Sequence, residues 1–263
     1  MTKTIKDLSF LTITTLFITL LIWLPHYLNL NNFYNLNFSQ GFSTIYRNFD
    51  GLEYVVIAKT FYNPSEMAKL PLSLPQNYYA AHFPGFPFLI LLLSPVLGML
   101  KSMLFITILF TILSSFAFYF LVRDFKLTAK PLFLSLIFLV LPARWLVVHS
   151  IGSSEPAFIF FIISSIYLFM KFELQKKSYL IWVSSLFGLA AQLTRPPGIL
   201  FFLSLVLYIH WNFLIKKSAL SFKEGILNHL KFYPLILIPF GLILVFSLFL
   251  ITYNDFWLKC CLL

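Results

Sequence analysis

A chain of 263 residues that is 60% hydrophobic and 11% charged, with 33 Phe and a mean hydropathy of +0.88, is not an ordinary soluble domain, in which about a quarter of the residues are charged. The formal net charge of +10 would suit nucleic acid only if the basic residues clustered on one water-exposed face. They sit instead in short segments between apolar runs, the arrangement that sets membrane topology. The expectation is an all-α, polytopic transmembrane helical bundle, a single module over 1–263, with no nucleic-acid partner.

Lys3 and Lys6 precede an apolar run at 8–28 that lacks the small-residue cleavage site of a signal peptide, so it is read as an uncleaved first span. The segment 29–85, rich in Asn, Tyr and Phe, reads as an external loop within the module and as its catalytic loop. The run at 85–100 is apolar but short and broken by Pro87, Pro95 and Gly98. It is expected to be a re-entrant or interfacial helix rather than a crossing. Further spans are expected at 102–122, 131–149, 156–170, 178–193, 198–214 and 232–253, about seven in all. Cys260 and Cys261, adjacent near the C-terminus, form neither a disulfide framework nor a metal-ligand spacing.

Lys3, Lys6, Arg123, Lys126, Lys130, Lys171, Lys176, Lys177, Lys216, Lys217, Lys223 and Lys231 make twelve of the 19 basic residues, and all can be assigned to one side. By the positive-inside rule that side is cytoplasmic, as is the N-terminus. Keeping the parity puts Asp50, Glu53, His82, Arg144, His149, Glu155 and Arg195 together at the opposite, external span ends. Two full crossings between 85 and 122 would instead separate Glu155 and Arg195 from Asp50.

Asp50 and Glu53, three apart, share a face if they are helical. Such a pair can divide acid and base work; equally, Asp50 can serve a helix N-terminus while Glu53 is solvated. His82-Phe83-Pro84-Gly85-Phe86-Pro87 could position a lipid-linked substrate or be an interfacial aromatic turn. Ser153-Ser154-Glu155-Pro156 reads as a helix start, with a Glu that is costly at the membrane edge unless it faces a cavity or a cation such as Arg144 or Arg195. Arg195, before Pro196-Pro197-Gly198, could hold a lipid phosphate or merely snorkel. No phosphate-cradling, zinc-protease or dinucleotide motif is present, which favours a lipid-carried donor over a soluble nucleotide sugar.

At these residues the sequence resembles the GT-C superfamily of membrane glycosyltransferases, and most of all the GPI mannosyltransferase II family and its prokaryotic relatives. Phe49-Asp50-Gly51-Leu52-Glu53-Tyr54-Val55-Val56-Ile57-Ala58 stands in place of a W-D-x-x-H-[YF]-x-x-I-A motif, with Phe49 for Trp and Glu53 for His. His82 to Pro87 matches an F-F-P-G-F-P element, and Ser154-Glu155-Pro156 matches [SA]-E-[SP]. The residues from Gly188 to Gly198 match G-L-A-x-x-x-R-x-x-G with one extra residue before Arg195. The resemblance implies a GT-C-like fold and inverting transfer of a hexose, typically mannose, from a polyprenyl-phosphate donor to a glycan, lipid or protein acceptor at the non-cytoplasmic face. Asp50 would be the general base, with Glu53 beside it; His82, Arg144, Glu155 and Arg195 would contact substrate, an arginine stabilising the leaving phosphate. No cofactor is implied, although the carboxylates could also ligate a divalent cation. The membrane would be the cell membrane in a prokaryote or the endoplasmic reticulum in a eukaryote. Such families usually have longer chains, so this one reads as an N-terminal module or a truncated product. A transporter or lipid flippase, or a non-catalytic membrane module, are the competing readings; the first would place ionisable residues at mid-membrane and show internal repeats, and neither feature is evident.

Overall fold

The computed structural model describes residues 2–31, 34–72, 74–141 and 143–216. The expected span at 232–253, the basic residues beyond Lys216 and the two cysteines lie outside them. The described residues form helices and no strand: α1 (Thr2–Tyr27), α2 (Ser43–Arg47), α3 (Gly51–Thr60), α4 (Pro64–Met67), α5 (Gln76–Tyr79), α6 (Gly85–Leu97), α7 (Met99–Asp124), α8 (Pro131–Val140), α9 (Ala143–Val148), α10 (Glu155–Gln175), α11 (Ser178–Thr194) and α12 (Gly198–Lys216). Three of them, Lys3–Tyr27, Met99–Asp124 and Glu155–Gln175, are long and apolar enough to cross a membrane.

The distribution of side chains is compatible with a protein solvated by lipid. α1 turns Phe10, Ile13, Phe17 and Leu20 outward, Phe17 with 59% of its surface exposed, and buries Thr15 and Thr19. α7, the central helix, packs against α1, α3, α6, α8 and α10, and buries Ser102, Thr107, Thr111, Ser114 and Ser115. Hydrophobic contact with a neighbouring helix gains little over contact with acyl chains, so small and hydroxylated residues take the helix interfaces, where they allow close approach and hydrogen-bond locally. Thr107 Oγ1 donates to the Met103 carbonyl at 3.0 Å and to that of Ser153 at 3.3 Å. Ser114 Oγ donates to Phe110 at 2.6 Å and to Pro156 at 2.9 Å. Between α10 and α11, Ser165 and Ser184 each donate to the other's carbonyl, at 2.7 and 2.8 Å.

Hydrogen bonds fix the helix directions. Tyr119 donates to Asp7 at 2.7 Å and Arg123 to Thr4 at 3.1 Å, so the end of α7 meets the start of α1. Tyr167 donates to Asp124 at 2.6 Å, with Lys171 at 3.8 Å, so the end of α10 joins them. Arg123, Lys171 and the first turns of α1 thereby gather at one end of the bundle, as their basic character led us to expect. At the opposite end the start of α10 meets the end of α11 through Glu155 and Arg195. Gly85 at the start of α6 abuts the backbone of Leu193 and Thr194 there, while Met103, one turn into α7, lies against Gly51 and Gly152. Both ends of α6 are thus at the Glu155 end, joined to α7 through Gly98 at φ +75°, where a side chain would be strained. Between residues 85 and 124 α7 is therefore the one helix that runs from one end of the bundle to the other, as expected for 85–122.

Two expectations need correction. The run at 131–149 is not one continuous helix: α8 stops with Leu141 extended (φ −121°, ψ 141°), because a residue before proline is driven out of the helical region, and α9 follows as a separate short helix. The segment 29–85 is not an open loop either. It folds into α2 to α5, around a small core of Ile57, Tyr62, Met67 and Tyr79.

Candidate functional site

Asp50 occupies the N-cap position of α3 but its side chain makes no capping bond, which leaves the carboxylate for other partners. Tyr78 Oη donates to Oδ1 at 3.3 Å, and His82 Nε2 lies 3.5 Å from Oδ2. His82 is buried while Asp50 keeps 46% of its side chain exposed. The His82 Nδ1 also lies 3.3 Å from the Tyr78 carbonyl; only the imidazolium would donate to both acceptors, since either neutral tautomer has a single N–H. The negative charge of Asp50 pushes the Tyr78 hydroxyl above its ordinary value, as does the more distant Glu53, so Tyr78 remains a donor.

His82 is held from behind, because Tyr62 Oη donates to its carbonyl at 2.5 Å. Three residues on, Gly85 sits so close to α11 that a Cβ there would lie 2.6 Å from the Leu193 carbonyl oxygen. The glycine therefore brings the His82 segment against the end of α11, one residue short of Arg195.

Arg195 Nη1 pairs with Glu155 Oε1, and Ser153 Oγ donates to the other oxygen, Oε2. Glu155 opens α10 with Pro156 in the first turn, as the sequence suggests. The Glu155 amide is taken by Ser153 Oγ at 3.3 Å, whereas the neighbouring Ser154 Oγ lies 2.8 Å from Tyr54 Oη. Tyr54 joins the two halves of the site: its ring makes edge contacts with His82 at 5.2 Å and Phe86 at 5.0 Å. Burial pushes the Tyr54 hydroxyl up to about 12, with the charges of Glu155 and Asp50 acting in the same direction and the Ser154 bond and Arg195 against them. It is a neutral phenol at ordinary pH, within electrostatic reach of Asp50, Glu155 and Arg195 together.

Glu53 is on α3 as expected, but it is not solvated. It is 7% exposed, and its Oε2 is buried without a hydrogen-bond partner, a condition that costs about 1–3 kcal/mol or more for a polar group. Asp50 and Glu53 therefore differ sharply in environment. Gln192, one turn before Arg195, is likewise buried with Oε1 unpartnered. Arg144 stands apart: it is exposed on α9, and no hydrogen bond or ion pair joins it to this cluster among the described residues. Of the two cations that could have met Glu155, Arg195 is the one that does.

Tyr54, Tyr78, Ser153 and Gln192 were not selected from the sequence as site residues. A hydroxyl or amide inside an aromatic or apolar run was the available signal, and it becomes meaningful only through tertiary placement. Among the described residues no three His, Cys, Asp or Glu side chains come together as a metal-holding group. Comparison of the chain with protein-family models, with curated proteins and with solved structures found no match.

Proposed function

We propose that this chain is a multi-pass, GT-C-like glycosyltransferase of about seven spans that moves a hexose, mannose by the sequence resemblance, from a polyprenyl-phosphate donor to an acceptor at the non-cytoplasmic face. The observation that carries the reading is the convergence around Tyr54 of four polar residues from distant parts of the chain, Asp50, His82, Glu155 and Arg195. They gather at the end of the bundle opposite the basic one, which on the positive-inside rule is external, with the N-terminus cytoplasmic.

In this reading the exposed Asp50 carboxylate accepts the proton of the acceptor hydroxyl as that oxygen attacks the anomeric carbon. The bond from that carbon to the phosphate oxygen breaks on the opposite side, with inversion, and the polyprenyl phosphate leaves with the electron pair. Tyr78 and His82 hold Asp50 in orientation. Arg195 faces the developing charge on the phosphate with Nε and Nη2, which have no hydrogen bond among the described residues; such electrostatic stabilisation acts where charge develops. Glu155 is a positioning residue that fixes the guanidinium. Glu53, buried on α3, acts through its charge on Tyr78 rather than by touching the substrate. Arg144 has no part in the step.

The test is transfer of sugar from a lipid-linked donor by purified chain carrying Asp50→Asn. Loss of a general base predicts a fall of about 10²–10⁴-fold. A folded Asp50→Asn protein working at the wild-type rate would remove the reaction's central residue.

A further inference from the structure

A second concentration of charge lies at the far end of the bundle, where α1 begins, α7 ends and α8 begins. A cavity of about 440 Å³ there is lined by three cations, Lys3, Arg123 and Lys130, against one carboxylate, Asp7. Asp7 is buried and already accepts the Tyr119 hydroxyl. Arg123 is held in place and ion-paired: Nη1 donates to Thr4 at 3.1 Å, Nε and Nη2 lie 2.8 and 2.7 Å from the Asp124 carboxylate, and the guanidinium stands 4.8 Å from the Phe120 ring centroid, so the uncompensated positive charge is that of Lys3 and Lys130. Lys3 and Lys130 are exposed and form no ion pair among the described residues. α8 starts beside them without a side-chain cap, so its first-turn amides and positive dipole end add to the field.

We propose that this cavity binds the phosphate of an anionic membrane phospholipid. Its chemistry is that of an anion site: two unpaired lysines and uncapped first-turn amides, against one buried carboxylate that already accepts a phenol. Apolar surface makes a lipid the better occupant than free phosphate. Pro131, Leu132 and Phe133 line the same cavity, and Phe133 is 60% exposed, so an acyl chain has a path away from the headgroup. Basic pockets between helices at a cytoplasmic surface are a recognised way of holding such headgroups. The site lies at the opposite end from Asp50 and does not depend on the reaction proposed above.

The experiment is native mass spectrometry of the detergent-purified full chain, titrated with phosphatidylglycerol or with phosphatidylcholine of the same acyl chains, with inorganic phosphate as competitor. Phosphatidylglycerol should be retained preferentially, and the preference should fall about five-fold for each lysine lost in Lys3→Gln and Lys130→Gln, and by the product of the two in the double variant. Both lysines are exposed, so the variants retain the fold; Arg123→Gln, which would untie α1 from α7, is the less clean substitution. An unchanged lipid preference in the double variant overturns the proposal. Displacement of phosphatidylglycerol by an equal concentration of inorganic phosphate overturns the assignment to a lipid.

Discussion

Removing the guanidinium of Arg195 while keeping its length, as in Arg195→Met, leaves the Glu155 carboxylate facing a half-buried site with only Ser153 and its own first-turn backbone for support. Breaking a fully buried ion pair costs about 3–5 kcal/mol, because the remaining charge is uncompensated. Here the side chains keep 25% and 31% of their surface exposed. Water therefore screens part of the loss, and about 2–3 kcal/mol is expected. Glu155→Gln should cost less, about 1–2 kcal/mol, since the amide oxygen still accepts one hydrogen bond. The double variant should be less destabilised than the sum of the two, because the orphaned charge is gone. Equilibrium unfolding of purified protein in mixed detergent–dodecyl sulfate micelles measures all three variants, and the double-mutant cycle isolates the pair. A single Arg195→Met variant within about 0.5 kcal/mol of wild type, or strict additivity in the cycle, would refute the tertiary pairing of α10 with the end of α11.

Tyr54, raised from 10.0 to about 12, binds its proton more tightly in the folded protein than in the unfolded chain. Its contribution is therefore whole below pH 10 and is lost as the pH rises towards 12, about 2–3 kcal/mol in all; Tyr54→Phe should flatten the fall in unfolding free energy over that window, and an unchanged slope would contradict its burial. Gly85→Ala drives a Cβ into the Leu193 backbone, where no side chain can yield. A loss of about 1–3 kcal/mol is expected, along with impaired transfer as His82 moves from Arg195; a neutral stability change would show that α6 and α11 are not in close contact. Ser165→Ala and Ser184→Ala each break one side of a reciprocal pair, for about 0.6–1.7 kcal/mol each by the same unfolding assay; additive losses in the double variant would show that the pair does not act as a unit.

How much of this could be read from residues alone differs by element. The long helices were legible because lipid imposes a simple requirement, some 20 apolar residues: the expected 102–122 corresponds to Met99–Asp124 and 156–170 to Glu155–Gln175, whereas the helix at 178–193, Ser178–Thr194, is shorter than that. The gathering of Lys3, Arg123, Lys130 and Lys171 at one end was legible because Lys and Arg are placed by topology. The break at Leu141 was available in Pro142 and was outweighed by the hydropathy of the run. The inner arrangement of 29–85 was not legible, because its short helices owe their stability to packing of aromatic side chains rather than to a repeating pattern. For the same reason Asp50 and Glu53, three residues apart and alike in charge, gave no hint that one is half-exposed and the other buried. Arg144 and Arg195 were equal partners for Glu155 by sequence, and only the fold of α11 against α10 selects between them.

Everything proposed about the reaction rests on Asp50 and Arg195 opening to the same, non-cytoplasmic side. The most direct measurement replaces Cys260 and Cys261 with serine, introduces Asp50→Cys, Arg195→Cys or Lys130→Cys singly, and labels intact cells with a membrane-impermeant maleimide. Labelling of the first two is expected from outside, and of the third only after permeabilisation. Labelling of Asp50→Cys and Arg195→Cys from opposite sides would contradict it.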